Sequence, residues 1–176
     1  MPEMTLYYVL KKNNVNANID TSVDFSNMAA SFISGNGDAV TLFEPTASDI
    51  VKRGYGYKVE SLGKLSGDVP YTAFYARRSF INKNKELINK FKRAINKGIK
   101  YTYSHSDMEV AEIIKNQFKE TDIKTIRDVV KSYRNIKAWP LDSKFKKEDF
   151  NRMQDIMKYS DNLNKKVSYK KLVYEK

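Results

Sequence analysis

The chain has 176 residues, of which 41% are hydrophobic and 30% are charged, a composition typical of a globular protein with a buried core. It has no cysteine and one histidine, His105, which excludes disulfides, cysteine nucleophiles and a multi-histidine metal site. The net charge is +11; residues 1–80 are neutral, so residues 81–176 carry the whole excess.

The first 62 residues alternate between helical and strand-like patterns. A helix is predicted over residues 2–12, because Pro2 suits a first helical position and Glu3 a first turn. Apolar or alternating runs then predict three strands, at residues 19–23, 38–43 and 57–62.

Two short helices are predicted between these strands. Ser26 is an N-cap residue for the first, which Gly35 ends, and Pro45 suits the first turn of the second, which ends near Gly54. Strands and helices that alternate at this spacing predict a parallel α/β sheet with right-handed crossovers.

The rest of the chain is predicted to be mainly helical. A turn-rich connector at residues 63–70 leads into an extended segment at residues 71–76. Beyond it, Ser106 and Glu109 form a capping-box pattern. Apolar residues at helical spacing predict one long amphipathic helix and three further helices. The apolar residues of these four helices, one set for each helix in chain order, are Leu87, Phe91, Ile95 and Ile99; Val110, Ile113, Ile114 and Phe118; Ile123, Ile126, Val129, Val130 and Tyr133; and Phe150, Met153, Ile156 and Met157.

Four motifs, through their order and spacing along the chain, together carry a family resemblance. Residues 37–45 (Gly-Asp-Ala-Val-Thr-Leu-Phe-Glu-Pro) join a glycine and an acidic residue to an apolar strand, an aromatic residue and Glu-Pro. Residues 2–13 look like the helix after a crossover between lobes, residues 69–73 like a return strand, and residues 84–98 like a long helix. The chain thereby resembles ABC-transporter substrate-binding proteins, in the family that binds nitrate, taurine, sulfonates and thiamine-pyrimidine precursors.

The resemblance implies a fold and a domain organisation. The expected fold is an α/β lobe like that of type II periplasmic binding proteins, with an incomplete parallel sheet, followed by a mainly helical C-terminal part that belongs to the other lobe. Residues 1–66 would form most of lobe two, and residues 67–176 the return strand and C-terminal helices of lobe one. The N-terminal half of such a protein is then expected to be missing from this chain.

The resemblance also implies a function. Proteins of this family are non-enzymatic carriers without a cofactor; they close two lobes around a small molecule and deliver it to the permease and ATPase subunits of an importer. They work outside the cytoplasm, as periplasmic proteins or as lipoproteins anchored at the cell surface.

Candidate ligand-binding residues follow the predicted strands, where helix N-termini offer free N–H groups to a ligand. Glu44 is either a helix cap or an acceptor for an amino or ring N–H group, and its carboxylate favours an aminopyrimidine-like heterocycle over sulfonate or nitrate. Aromatic side chains at strand ends are candidates for stacking on a flat ring. The set, expected to gather at one sheet edge around a groove, is Phe25, Ser26, Asn27, Glu44, Thr46 and Tyr71.

Three other functions compete with this interpretation. The effector-binding half of a transcriptional regulator has a similar two-lobed fold and is the main alternative. A basic nucleic-acid module is less favoured, because the cations are mostly lysines scattered around helices rather than a patch of arginines and stacking aromatics. A pyrimidine synthase of the same fold resembles a Cys- and His-dependent enzyme, and this chain has no cysteine.

The apolar stripes of the long helix and of the helix after it predict self-association. They would normally cover strands of the missing half, and exposed apolar side chains are costly in water. A dimer is therefore expected, and exchange of an element through a flexible connector at residues 63–70 is a low-cost route to it.

Overall fold

The computed structural model describes residues 2–174, which fold into ten α-helices and two short 3₁₀ turns. The two predicted lobes, at residues 1–66 and 67–176, also include residues 1, 175 and 176, which lie outside the described range. The helices are α1 (Pro2–Lys12), α2 (Met28–Ile33), α3 (Thr46–Lys52), α4 (Leu62–Ser66), α5 (Arg78–Lys83), α6 (Lys85–Ser104), α7 (Asp107–Ile114), α8 (Ile123–Asn135), α9 (Lys147–Tyr159) and α10 (Tyr169–Leu172).

The predicted parallel α/β sheet is wrong for this chain. Within residues 2–174 no segment forms a strand. Residues 19–23, 38–43 and 71–76 run as irregular chain, and so do residues 57–61, while Leu62 begins α4. A strand exists only when its backbone N–H and C=O groups pair with those of a neighbouring strand. Alternating apolar residues indicate a chain suited to pairing, but they do not supply the partner.

The predicted helices are present, with small shifts at their ends. α1 spans the predicted residues, and α3 begins at Thr46 with Pro45 as its N-cap residue rather than its first helical residue. The capping box is confirmed at the start of α7: Ser106 Oγ accepts from the Glu109 backbone N–H, and the Glu109 carboxylate accepts from the Ser106 N–H.

One part of the core lies between α7 and α8. These helices contribute four buried apolar residues: Val110, Ala111, Ile126 and Val130. Asp122 caps the N-terminus of α8, where its carboxylate accepts the backbone N–H groups of Lys124 and Thr125.

A second part of the core joins the two ends of the chain. α1 packs on α4 and α9, and α10 packs on α9. The buried apolar residues here are Val9, Phe150, Ile156 and Tyr169. Gln154 is buried beside them, and its side-chain amide exchanges two hydrogen bonds with the backbone of Val167. This exchange satisfies a polar group that would otherwise be costly to bury.

The connector at residues 63–70 is more ordered than its turn-rich sequence predicts. It contains most of α4, and Ser66 is buried there with its hydroxyl donating to the carbonyls of Gly63 and Gly67. The guanidinium of Arg152 on α9 donates to the carbonyl of Asp68 at 2.6 Å. The connector is thus joined to α9 through Arg152, and its helix α4 packs on α1.

No helix within residues 2–174 is both long and apolar enough to cross a membrane.

Candidate functional site

Three aromatic rings line an open depression of about 390 Å³, together with Pro2 from the start of α1. The ring centroids of Phe25 and Phe43 are 5.8 Å apart, and those of Phe43 and Tyr71 are 5.5 Å apart. We call the depression formed by Pro2, Phe25, Phe43 and Tyr71 the aromatic groove.

The rings of the aromatic groove remain accessible although they contact each other. Phe25 is 64% exposed, Tyr71 57% and Phe43 39%. Edge-to-face and tilted ring pairs hold their members in fixed relative orientations. The groove therefore presents pre-oriented ring faces and edges to any molecule that enters it.

Two irregular segments and one 3₁₀ turn position these rings. Phe25 begins the turn Phe25–Asn27, whose first hydrogen bond runs from the Asn27 N–H to the Asp24 carbonyl. Phe43 immediately precedes the cis Glu44–Pro45 peptide bond, and its carbonyl accepts the N–H of Ala47 at the start of α3. Tyr71 lies in the irregular segment after α4.

Ser26, Asn27 and Thr46 do not line the aromatic groove. Ser26 and Asn27 are exposed residues of the 3₁₀ turn beside Phe25, and Thr46 is the exposed first residue of α3. The side chain of Asn27, the N-cap residue of α2, makes no capping hydrogen bond. The structure thus groups the aromatic candidates Phe25 and Tyr71 and leaves these three polar candidates outside the groove.

Glu44 lies next to the groove residue Phe43, but its carboxylate is already engaged. Its side chain is 6% exposed. Oε2 accepts the backbone N–H of Ser48 in the first turn of α3 at 3.0 Å, and Oε1 accepts the Lys58 ammonium at 2.5 Å. Lys58 also donates to the Ser48 hydroxyl at 2.9 Å. Glu44 therefore caps α3 and forms an ion pair, and a ligand N–H group would have to share or displace the Lys58 contact.

No local pattern in the sequence marks Lys58 and Tyr133 as neighbours of Glu44. Lys58 follows 14 residues later in an irregular segment, and Tyr133 comes from α8, where its hydroxyl accepts the Glu44 backbone N–H at 3.2 Å. Burial of the Tyr133 ring raises the pKa of its hydroxyl above the ordinary value of 10.0. The sequence predicted Pro2 as the first residue of a helix but not as a member of a binding site. In the folded chain Pro2 lines the same groove as Phe25.

The groove is suited to stacking on a flat ring. Its walls are aromatic rings and a proline ring, and the carboxylate of Glu44, the residue after Phe43, is paired with a lysine. Residues 2–174 contain no group of three or more His, Asp or Glu side chains that could hold a metal ion.

Comparison with known proteins agrees with a binding role for this architecture. Residues 1–115, which include every residue of the aromatic groove, match the NMT1-like family. The chain belongs to the NMT1-like family.

A relative of this NMT1-like chain is YtlA of Bacillus subtilis (strain 168), which carries the provisional name of binding protein. The two are 36% identical over 177 residues, a match that covers 98% of this chain and 53% of YtlA. The chain thus spans about half the length of this relative. No solved structure matches the chain.

Proposed function

We propose that this chain is part of a non-enzymatic solute-binding protein that supplies a small molecule to an ABC importer outside the cytoplasm. Membership of the NMT1-like family and 36% identity to a protein named for binding support the binding role. Permease and ATPase subunits would be its partners, and a lipid anchor or a periplasmic location would keep it near them. The division into lobes at residues 1–66 and 67–176 belongs to the same proposal.

The aromatic groove carries the proposal for the site. A flat heterocycle that enters it would stack against Phe25 and Tyr71, whose rings are more than half exposed and already oriented by Phe43. A ring of pyrimidine size fits an opening of about 390 Å³. Ser26, Asn27, Glu44 and Thr46 would then act at the rim, through hydroxyl, amide and carboxylate groups around the ring.

The polarity of the surroundings favours a thiamine-pyrimidine-like heterocycle over sulfonate or nitrate. Among the groove side chains only the Tyr71 hydroxyl can donate a hydrogen bond to an oxyanion, whereas the ring walls match the face of an aminopyrimidine. Glu44 could accept an exocyclic amino N–H group if the Lys58 ammonium moves aside. Sulfonate and nitrate remain the comparison ligands for the test.

Calorimetric titration of the purified chain with a 4-amino-2-methylpyrimidine, with taurine and with nitrate tests the proposal. We expect the pyrimidine to bind most tightly. Tyr71→Ala should weaken it about 2- to 10-fold, the range expected for one lost ring contact. Tyr75→Ala is the matched control: Tyr75 lies on the same segment, is 97% exposed and is not a groove residue, so its loss should leave the affinity unchanged.

Two results would count against this function. Equal weakening by Tyr71→Ala and Tyr75→Ala would move the ligand away from the aromatic groove. Tighter binding of taurine or nitrate than of the pyrimidine would replace the heterocycle by an anion as the ligand class.

A further inference from the structure

Three segments that are far apart in the chain bring seven cationic side chains together. The guanidinium of Arg78, at the start of α5, donates to the carbonyl of Lys171 in α10 at 3.4 Å. The Tyr169 hydroxyl, also in α10, donates to the carbonyl of Phe145, which lies just before α9. The cations on these segments form what we call the basic surface: Arg77, Arg78, Lys144, Lys146, Lys147, Lys170 and Lys171.

A cluster of aromatic rings holds two of these segments in place. The ring of Phe150, buried on α9, has its centroid 6.1 Å from that of Phe145 and 5.6 Å from that of Tyr169. All seven cations are exposed, so they lie on the outside of this cluster. Core packing of α10 on α9 therefore fixes their lysines close to one another.

Positive charge on the basic surface exceeds the acidic charge of the same segments. Within residues 2–174 none of the seven side chains forms an ion pair. Residues 77–78, 142–149 and 169–172 contain only three acidic residues, and one of these, Asp149, is paired with Arg152. Such a concentration of cations attracts a negatively charged partner.

Two lysines of the basic surface occupy positions that local helix structure disfavours. Lys146 is the N-cap residue of α9, where its side chain makes no capping hydrogen bond, and Lys147 is the first helical residue. A helix N-terminus carries partial positive charge and is stabilised by Ser or Asp caps, as α7 and α8 have in Ser106 and Asp122. Departures from a local preference are expected where a function requires them.

We propose that the basic surface docks on a lipid bilayer that contains anionic phospholipids. Five of its seven cations are lysines, whose compact ammonium groups act as point charges and need no fixed geometry in the partner. The headgroups of a fluid bilayer have no fixed arrangement. The carboxylates of a folded protein and the phosphates of a nucleic acid do, and they favour the planar fork of arginine.

Apolar side chains beside the cations suit the same partner. Leu172 follows Lys171 directly and is 64% exposed, and Phe80 lies two residues after Arg78 and is 45% exposed. Proteins that bind at a membrane surface combine cations, which face the headgroups, with Leu and Phe side chains that enter the boundary of the acyl chains. The proposal goes beyond solute binding, because no residue of the basic surface lines the aromatic groove.

Cosedimentation of this chain with lipid vesicles tests the proposal. We expect binding to vesicles of phosphatidylcholine mixed with phosphatidylglycerol, no binding to phosphatidylcholine alone, and weaker binding as the salt concentration rises. Lys146→Glu combined with Lys147→Glu should weaken binding about 30-fold or more, the effect of two cations lost from a membrane-facing surface. Acidic residues favour a helix N-terminus, so α9 should be retained, and circular dichroism checks this.

Lys124→Glu combined with Lys131→Glu is the matched control. Both lysines are exposed on α8, which packs on α7 and α3. This double variant changes the net charge of the chain by the same amount, so it separates the basic surface from the overall charge of +11. It should weaken vesicle binding less than about three-fold, because exposed charges away from the contact are screened by salt.

Five outcomes would overturn the proposal. They are absence of binding to the anionic vesicles, equal binding to neutral vesicles, equal weakening by the two double variants, displacement from the vesicles by inorganic phosphate at constant ionic strength, and tighter binding to duplex DNA than to the vesicles. None of them bears on the aromatic groove, so the calorimetric titration succeeds or fails independently.

Discussion

Glu44 shows how one residue can fill a structural role and still be a candidate for binding. The sequence left a helix cap and a ligand acceptor open as alternatives, and the structure displays the cap: Oε2 accepts the N–H of Ser48. The Lys58 ammonium lies beside this carboxylate, whose side chain is 6% exposed, and so provides a partner for a polar group that is largely out of water. Whether a ligand also uses it stays a prediction.

Glu44→Gln separates the two roles. The amide oxygen can keep the hydrogen bond from Ser48, so the circular dichroism spectrum should be unchanged. A heterocycle that donates to the carboxylate should bind about ten-fold more weakly to the variant, because a hydrogen bond to a charged group is replaced by a neutral one. Glu60→Gln, at an exposed glutamate paired with Lys64, is the control. Unchanged calorimetric affinity for the 4-aminopyrimidine would assign Glu44 to the cap and the ion pair alone.

Asp122 predicts a pH dependence of stability. Hydrogen bonds from the hydroxyl and then the backbone N–H of Thr125, with a smaller contribution from Lys52, lower the pKa of Asp122 below its ordinary value of 3.8. Because the folded-state pKa lies below the unfolded one, the ionised carboxylate stabilises the fold above pH 3.8, and this stabilisation is lost as the pH falls below that value.

Thermal melts from pH 7 to pH 2 test the role of Asp122. Asp122→Ala should lower Tm at pH 7, and the difference from the unchanged chain should narrow below pH 3.8. Asp128→Ala is the control on the same helix, since the exposed Asp128 forms an ion pair with its neighbour Arg127 and does not cap the helix. A Tm difference for Asp122→Ala that is constant over the whole range would contradict the assignment.

At the scale of elements, one arginine joins three helices. Arg134 on α8 donates from Nη2 to the carbonyls of Thr102, at 2.5 Å, and His105, at 2.9 Å, at the end of α6. Its Nη1 lies 2.9 Å from Oδ1 of Asp107, in the first turn of α7. A cation is stabilising beside the free carbonyls at a helix C-terminus. The guanidinium of Arg134 donates hydrogen bonds to these carbonyls and at the same time forms an ion pair with the Asp107 carboxylate.

Replacing Arg134 should loosen this junction. Arg134→Ala leaves two carbonyls without their donor and the Asp107 carboxylate without its ion-pair partner, and both charged side chains are only about a quarter exposed. We expect a loss of about 2–3 kcal/mol in the free energy of unfolding, measured by urea denaturation. Arg127→Ala, at an exposed arginine of the same helix, should change it by less than about 0.5 kcal/mol. Equal losses in the two variants would contradict the role of Arg134.

At the scale of the whole molecule, the swapped dimer predicted through residues 63–70 has no support in the structure. The flexible connector that it requires is occupied by α4, which packs on α1, and Arg152 holds the carbonyl of Asp68. The exposed apolar residues nevertheless remain, so self-association without exchange of an element stays a prediction.

The exposed apolar side chains around the start of α6 should be detectable in solution. We expect this chain to enhance the fluorescence of an anilinonaphthalene sulfonate dye, because Phe74, Leu87 and Phe91 are accessible. The double substitution Leu87→Glu and Phe91→Glu should lower the enhancement, whereas Asn89→Glu, at an exposed position on the opposite side of the same helix, should leave it unchanged. A double variant with unchanged dye fluorescence would place the accessible apolar surface elsewhere.

What the sequence by itself determined is the set of long helices and their caps. Helical spacing of apolar residues marked α6, α7, α8 and α9, and Ser106 with Glu109 marked the start of α7, because both signals depend on residues within about one turn of each other. The five-residue α4 was not predicted, because its glycine and serine residues are typical of a turn and so short a segment contains little periodicity.

Only the tertiary structure decided which extended segments pair and which side chains meet. Residues 38–43 have the composition of a buried strand, yet no strand pairs with them within residues 2–174. Instead they bring Phe43 to the rings of Phe25 and Tyr71. Phe25 and Tyr71 were predicted as site candidates from the sequence. The sequence did not predict that Pro2 lies beside these rings, or that Lys58 and Tyr133 contact Glu44. Strand pairing and side-chain clusters depend on contacts between residues far apart in the chain, and no local pattern encodes the partner.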